Sequence, residues 1–227
     1  GQALSCVVVE IKPVEFSVEL SHKLSERQKY ENSGPKQESK KSKGVQYLRR
    51  TIVHPYFKNV TRGQAMDLLK TEEAGEFVIR PSSAGLDKLS VTRKVFVDVF
   101  HDLVIQMEGQ HNPMAIGRKL RIDNAEFEDL DELIIGYIEP VAQFDKKMIE
   151  HEKFCADSSD EIKQRLQTEK TVKPQTSPYL FGFSSDVPGT YKLFWIPGTQ
   201  TVEAEPVRSI PKGFRFRKQE FASMSRL

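Results

Sequence analysis

The stretch Gly75-Glu76-Phe77-Val78-Ile79-Arg80-Pro81-Ser82-Ser83 constrains this chain more than any other. It reads as a short, wholly apolar strand ending on an arginine, followed by a hydroxyl-rich loop. A guanidinium cannot shed its proton, so burying Arg80 costs stability unless an anion meets it. The loop hydroxyls of Ser82 and Ser83, with the loop's backbone N–H groups, would face the same point and form a concave anion site. A dianionic phosphate suits such a site, with two oxygens on the guanidinium fork and the others on the two serines. The alternative is a core strand whose terminal arginine pairs with a nearby carboxylate. Spacing alone leaves both open.

The surrounding chain is globular but polar. It has 227 residues, 38% hydrophobic and 29% charged, with a net charge of +2. That length holds one large or two small domains. So balanced a charge gives no global field favouring DNA or a membrane. Cys6 and Cys155 are far apart and show no CxxC spacing. They predict neither a disulfide framework nor a zinc site, and they fit a reducing compartment. The five histidines, His22, His54, His101, His111 and His151, show no metal-ligand spacing, and no GxSxG, Walker or GxGxxG motif is present. The expectation is a protein that is not an enzyme and has no cofactor. Asn59-Val60-Thr61 matches a glycosylation sequon by pattern and is expected to be accidental.

Segment by segment, residues 1–21 hold two β-like runs around Lys12-Pro13, expected to be the end of a preceding domain, so that the chain is a piece of a longer one. Residues 22–46, with the basic knot Ser39-Lys40-Lys41-Ser42-Lys43, are too polar to offset their ordering entropy and predict a flexible linker. From Tyr47 the pattern becomes structured. Thr61 and Gln64 have the form of a capping box ahead of Ala65, Leu68 and Leu69. Strands are expected at 76–80, 88–95 and 97–106, with Gly117 to Ile122 as a connector. Leu130, Leu133, Ile134, Tyr137, Ile138 and Val141 form one continuous helical stripe behind an acidic start. A further helical stretch follows Pro140, from Phe144 to Phe154, and Ser158 with Glu161 caps another helix. Strands at Tyr179–Phe183, Tyr191–Ile196 and Phe214–Arg217 complete the chain, with only the first turns of a final helix before Leu227. The order of helix and antiparallel strands in 61–106 therefore recurs in the second half.

The region His54 to Gly109 resembles an SH2 domain, the module that binds phosphorylated peptides. More narrowly, the run His54-Pro55-Tyr56-Phe57, the arginine strand, and Glu126-Phe127-Glu128-Asp129-Leu130-Asp131-Glu132-Leu133 resemble the tandem SH2 region of the Suppressor-of-Ty family of histone chaperones and transcription elongation factors. The resemblance implies an α+β fold of two SH2-like units in tandem. The first would span 47–141, and a connecting helix with a divergent, C-terminally cut second unit would span 142–227. It also implies that residues 1–21 end an S1-type barrel.

For the site, the resemblance implies that Arg80, Ser82, Ser83 and Arg62 bind phosphate in the first unit. Arg62 has an ordinary reading too, as an exposed first-turn residue. In the second unit no arginine ends Tyr179-Leu180-Phe181-Gly182-Phe183. There the matching positions are Lys153 and Tyr179, a point charge and a hydroxyl donor for phosphoserine. As bare sequence, Lys153 reads equally as a surface lysine and Tyr179 as a half-buried strand residue. The third strand departs from the family pattern of an aromatic, a polar residue and a histidine. Here Phe100-His101-Asp102 puts the histidine one place early, and a one-residue shift reverses a strand face. Either a bulge restores the register, or Asp102 lies near the pocket and His101 does not contribute. The implied partner is the phosphorylated linker or C-terminal repeat domain of the largest RNA polymerase II subunit, bound by a nuclear monomer. The competing reading is RNA or single-stranded nucleic-acid binding through the flanking hairpin and basic linker.

Overall fold

The structure is a computed structural model that describes residues 7–12, 17–21, 49–198 and 201–227. The linker expected at 22–46 lies outside the described residues. Residues Gly1–Gln46 and Tyr47–Leu227 are separate compact units. In the first, β1 (Val7–Lys12) and β2 (Ser17–Ser21) pair antiparallel, with a register shift between Val8 and Glu10.

The second unit contains two sheets. The first has the order β3 (Phe77–Pro81), β4 (Lys88–Phe96), β5 (Val99–Glu108), β6 (Lys119–Ile122), β7 (Ala125–Phe127), all antiparallel. The expected connector at 117–122 thus contains β6, whose Leu120 and Ile122 are buried in the first core. On one face of this sheet lies α1 (Arg62–Leu69), begun by a reciprocal capping box between Thr61 and Gln64. Ala65 and Leu69, one turn apart, pack on Val78 and Phe100. Leu68, expected beside them, falls on the outer side and is 42% exposed. The Lys94 ammonium donates to the carbonyls of Lys70 and Glu72 at 2.7 and 2.8 Å, satisfying the open C-terminal end of α1.

The other face carries the predicted apolar stripe. Leu130, Leu133, Ile134, Tyr137, Ile138 and Val141 are all buried against Phe77, Ile79, Leu89 and Ile105. Asp129 caps α2 (Leu130–Leu133), which runs through a π turn (Ile134–Ile138) into α3 (Glu139–Ile149) without a break. Pro140 lacks an N–H, and the chain crosses it immediately after the widened turn instead of stopping there. The helix ends at Ile149, and the segment expected to continue it holds β8 (Phe154–Cys155) instead.

One continuous helix therefore serves two cores: Val141 belongs to the first, while Met148, with Phe144 and Ile149 beside it, packs into the second among Phe181, Tyr191, Val207 and Phe214. The second sheet contains β9 (Tyr179–Phe183), β10 (Tyr191–Trp195), β11 (Glu203–Ile210), β12 (Gly213–Phe216) and β13 (Gln219–Phe221), ordered β13-β12-β11-β10-β9-β8, with β8 parallel to β9. α4 (Ser159–Val172), begun by the Ser158–Glu161 capping box, covers its outer face through Ile162 and Leu166. A single 3-10 turn (Met224–Arg226) follows the last strand.

The two sheets approach closely where Gly189 meets His101. A Cβ at Gly189 would stand 2.5 Å from the Cβ of His101, and the backbone there has φ +75°, so glycine is required twice over.

Candidate phosphate-binding site

Register explains which side chains meet at the site. Val78 pairs with Thr92, Arg80 with Ser90, and Thr92 with Asp102, in a ladder that is regular from Lys88 to Lys94. With a side-chain period of two, Val78, Arg80, Ser90, Thr92, Phe100 and Asp102 share the face covered by α1. Arg93 and His101 point the other way.

Arg80 is 6% exposed. Its Nε donates to Thr92 Oγ1 at 2.8 Å, its Nη2 to Asp102 Oδ1 at 3.0 Å, and its Nη1 to the Pro81 carbonyl at 3.3 Å. The Thr92 hydroxyl in turn donates to Asp102 Oδ1 at 2.5 Å. Arg62, half-exposed at the first position of α1, donates through Nε to Asp102 Oδ2. Burial pushes the Asp102 carboxyl up, but the hydrogen bonds from Thr92, Arg62 and Arg80 outweigh it and hold the group below the usual carboxylate range. Of the two open readings of Arg80, the pairing with a nearby carboxylate is the one seen, and Arg62 and Thr92 converge on the same carboxylate. Arg62 and Arg80 meet, as expected. Of the two alternatives on β5, no bulge intervenes, and it is Asp102 that faces the pocket.

Ser82 and Ser83 lie at the start of the loop after β3. Ser82 Oγ accepts from the Ala84 N–H at 3.1 Å, bracing the turn, and Ser83 is exposed. Two residues that sequence reasoning missed complete the site. Thr92 links the arginine to the carboxylate; the alternation Ser90, Thr92, Lys94 along the strand was its signal. Arg50, 4% exposed, donates Nη2 to the Leu86 carbonyl at 2.6 Å and so fixes the loop from behind. Its own backbone is clamped by the Asn59 amide, which accepts from Arg50 N at 2.7 Å and donates to Arg50 O at 2.9 Å. The sequon asparagine is therefore fully engaged in structure.

His101 lies on the opposite face. Its Nδ1 accepts from Arg93 Nη2 at 3.0 Å, and Arg93 Nη1 pairs with Asp145 of α3. Burial, with the Arg93 charge, brings the imidazole down to about 4.

In the second sheet, Lys153 Nζ stands 5.7 Å from the ring centroid of Tyr179, so the structure brings these two expected residues together. Tyr179 is 40% exposed, and the Lys153 carbonyl accepts from Phe181 N at 2.8 Å. The first and second sheets match here. Phe57 bridges Ile79 in parallel as Phe154 bridges Phe181, so Gly182 takes the place of Arg80.

Two sheets, each flanked by helices and each fed by a parallel bridging segment, with a buried arginine pocket under the first helix, define a tandem pair of SH2 units. The chain belongs to the SH2 domain family, whose profile matches residues 21–227. It is similar to the transcription elongation factor SPT6-like of Arabidopsis thaliana, 32% identical over 100% of this chain, and to the SPT6 homolog of the same plant, 37% identical over 78%. It spans 19% and 11% of those two relatives. Among solved structures it resembles a tandem SH2 domain of transcription elongation factor Spt6, described as binding the phosphorylated RNA polymerase II C-terminal repeat domain. The TM-score is 0.73 at 29% identity, covering 78% of this chain and 91% of that one.

Proposed function

We propose that this chain is a non-enzymatic, nuclear, monomeric module that binds a phosphorylated segment of the largest RNA polymerase II subunit, its C-terminal repeats or the linker before them. The observation behind this reading is the convergence of Arg80 and Arg62 on one oxyanion, with Thr92 as a third donor. Phosphothreonine or phosphotyrosine binds there, with Ser82 and Ser83 supplying hydroxyls. Lys153 and Tyr179 receive phosphoserine at the second unit. Two modest sites on one rigid body reinforce each other through effective concentration. Such binding holds an elongation factor on transcribing polymerase.

The test is fluorescence anisotropy with a phosphorylated repeat-domain peptide and its unphosphorylated twin. Tight binding of the phosphorylated peptide alone supports the reading. Equal binding of both, with steep salt dependence toward unmodified RNA, would favour the nucleic-acid alternative instead.

A further inference from the structure

Asp102 accepts hydrogen bonds from the same groups that a phosphate in this pocket would need. Arg80 Nη2, Arg62 Nε and Thr92 Oγ1 all end on its two oxygens. The carboxylate cannot drift away with a loop, because Asp102 lies directly opposite Thr92 within the regular part of the β4–β5 ladder. Its side chain is 24% exposed, so the carboxylate is reached from solvent while it holds Arg80.

The charges decide what this does. Two arginines and one carboxylate leave the pocket one positive charge. A phosphate monoester brings about −1.5 to −2 at neutral pH. If the carboxylate stays, the ligand is held beside a like charge at close range. If it swings aside, its hydrogen bonds must be exchanged for those of the ligand. Either route weakens phosphate binding relative to two unopposed arginines.

We infer that Asp102 is a tethered competitor for the phosphate: the first pocket is self-liganded, and Asp102 sets the threshold a phosphopeptide must exceed to occupy it. The inference rests on the reading of Arg80 as the phosphate-binding group. In consequence, the first unit releases a singly phosphorylated segment readily and holds one that is also anchored at the second unit. A dianion gains more than a monoanion from removal of the carboxylate.

The experiment uses the full chain, with a phosphorylated RNA polymerase II repeat-domain peptide and its unphosphorylated twin, against wild type, Asp102→Asn, Asp102→Ser, Arg80→Ala and Arg80→Ala/Asp102→Asn. Asp102→Asn keeps an acceptor for Thr92 and Arg80 while removing the charge. The expected result is that both Asp102 variants bind the phosphorylated peptide about tenfold tighter, the unphosphorylated one unchanged, and that Arg80→Ala cancels the gain. Unchanged or weaker binding by both Asp102 variants, with Arg80→Ala still abolishing it, overturns the inference and leaves the Arg80 reading intact. Binding that is indifferent to Arg80→Ala in both backgrounds overturns the Arg80 reading and the inference with it. A readout that needs no variant is the carboxyl carbon resonance of Asp102 in the wild type. Phosphopeptide should shift it together with the Arg80 Nε–H resonance, and a shift of Arg80 alone overturns the inference.

Discussion

Gly182 occupies in the second sheet the position that Arg80 occupies in the first. Ile79 and Phe181 are each bridged in parallel by an upstream phenylalanine, and Arg80 and Gly182 are the next residues. Arg80 enters a polar pocket under α1. Gly182 faces α4, where a Cβ would stand 2.4 Å from Ile162 Cδ1. Two sheets of similar design thus have opposite chemistry at the equivalent place, and only the first carries an arginine there.

An arginine cannot be restored at position 182 by substitution. Gly182→Arg would drive a charge into the Ile162, Leu166, Leu180 and Phe194 cluster and should destabilise by more than about 3 kcal/mol. Gly182→Ala should cost only about 1 kcal/mol, because the end of the Ile162 side chain can turn aside. Urea denaturation of both variants checks this. A Gly182→Arg protein as stable as wild type would contradict it.

The junction of the two sheets rests on the buried pair Arg93 and Asp145, whose side chains are 4% and 5% exposed. Arg93→Ala or Asp145→Ala leaves the other charge unpaired and should cost about 3–5 kcal/mol. Arg93→Met with Asp145→Leu should recover most of that loss. Chemical denaturation of the three variants measures it, and single variants as stable as wild type would be the contrary result.

His101 makes the same junction sensitive to acid. Its folded value of about 4 lies below the ordinary 6.5, so the folded chain binds fewer protons than the unfolded chain between these limits. Its contribution is fully present above pH 6.5 and is lost as pH falls toward 4. His101→Gln should therefore flatten the fall in stability across that window relative to wild type. Parallel curves for the two proteins would remove His101 from the explanation.

On the proposed reading, Lys153 and Tyr179 act on the second site alone. Lys153→Ala should weaken a doubly phosphorylated peptide about tenfold and Tyr179→Phe less, since the phenylalanine keeps the ring and loses only the hydroxyl donor. Isothermal titration with singly and doubly phosphorylated peptides distinguishes the sites. A loss confined to the peptide that engages Arg80 would contradict the assignment.

Local signals in the sequence were the reliable ones. The two capping boxes, the stripe from Leu130 to Val141 and the strand that carries Arg80 each lie within a dozen residues, and each formed, the strand one residue later than read. β11 was missed because Glu203, Glu205 and Pro206 argue against a strand, and only its pairing with β10 and β12 makes it one. β6 is four residues long, too short to show a period. The pocket was half legible. Arg80 stood out in the sequence and Arg62 was left between two readings, whereas Asp102 was one of two alternatives that only the register of two strands decides, and Arg50 enters through a contact with a loop about thirty-six residues away. Leu68 shows the remaining limit: helical spacing gave the right face and could not say where that face ends.

The most direct measurement is the affinity of wild type, Arg80→Ala and Arg80→Lys for a phosphorylated RNA polymerase II repeat-domain peptide. Loss of a buried partner to a charged ligand should cost about 2–5 kcal/mol in Arg80→Ala. Arg80→Lys should recover little, because an ammonium cannot reproduce the fork that reaches Thr92 and the anion together. Unchanged affinity in Arg80→Ala, with the fold intact, would contradict the account at its centre.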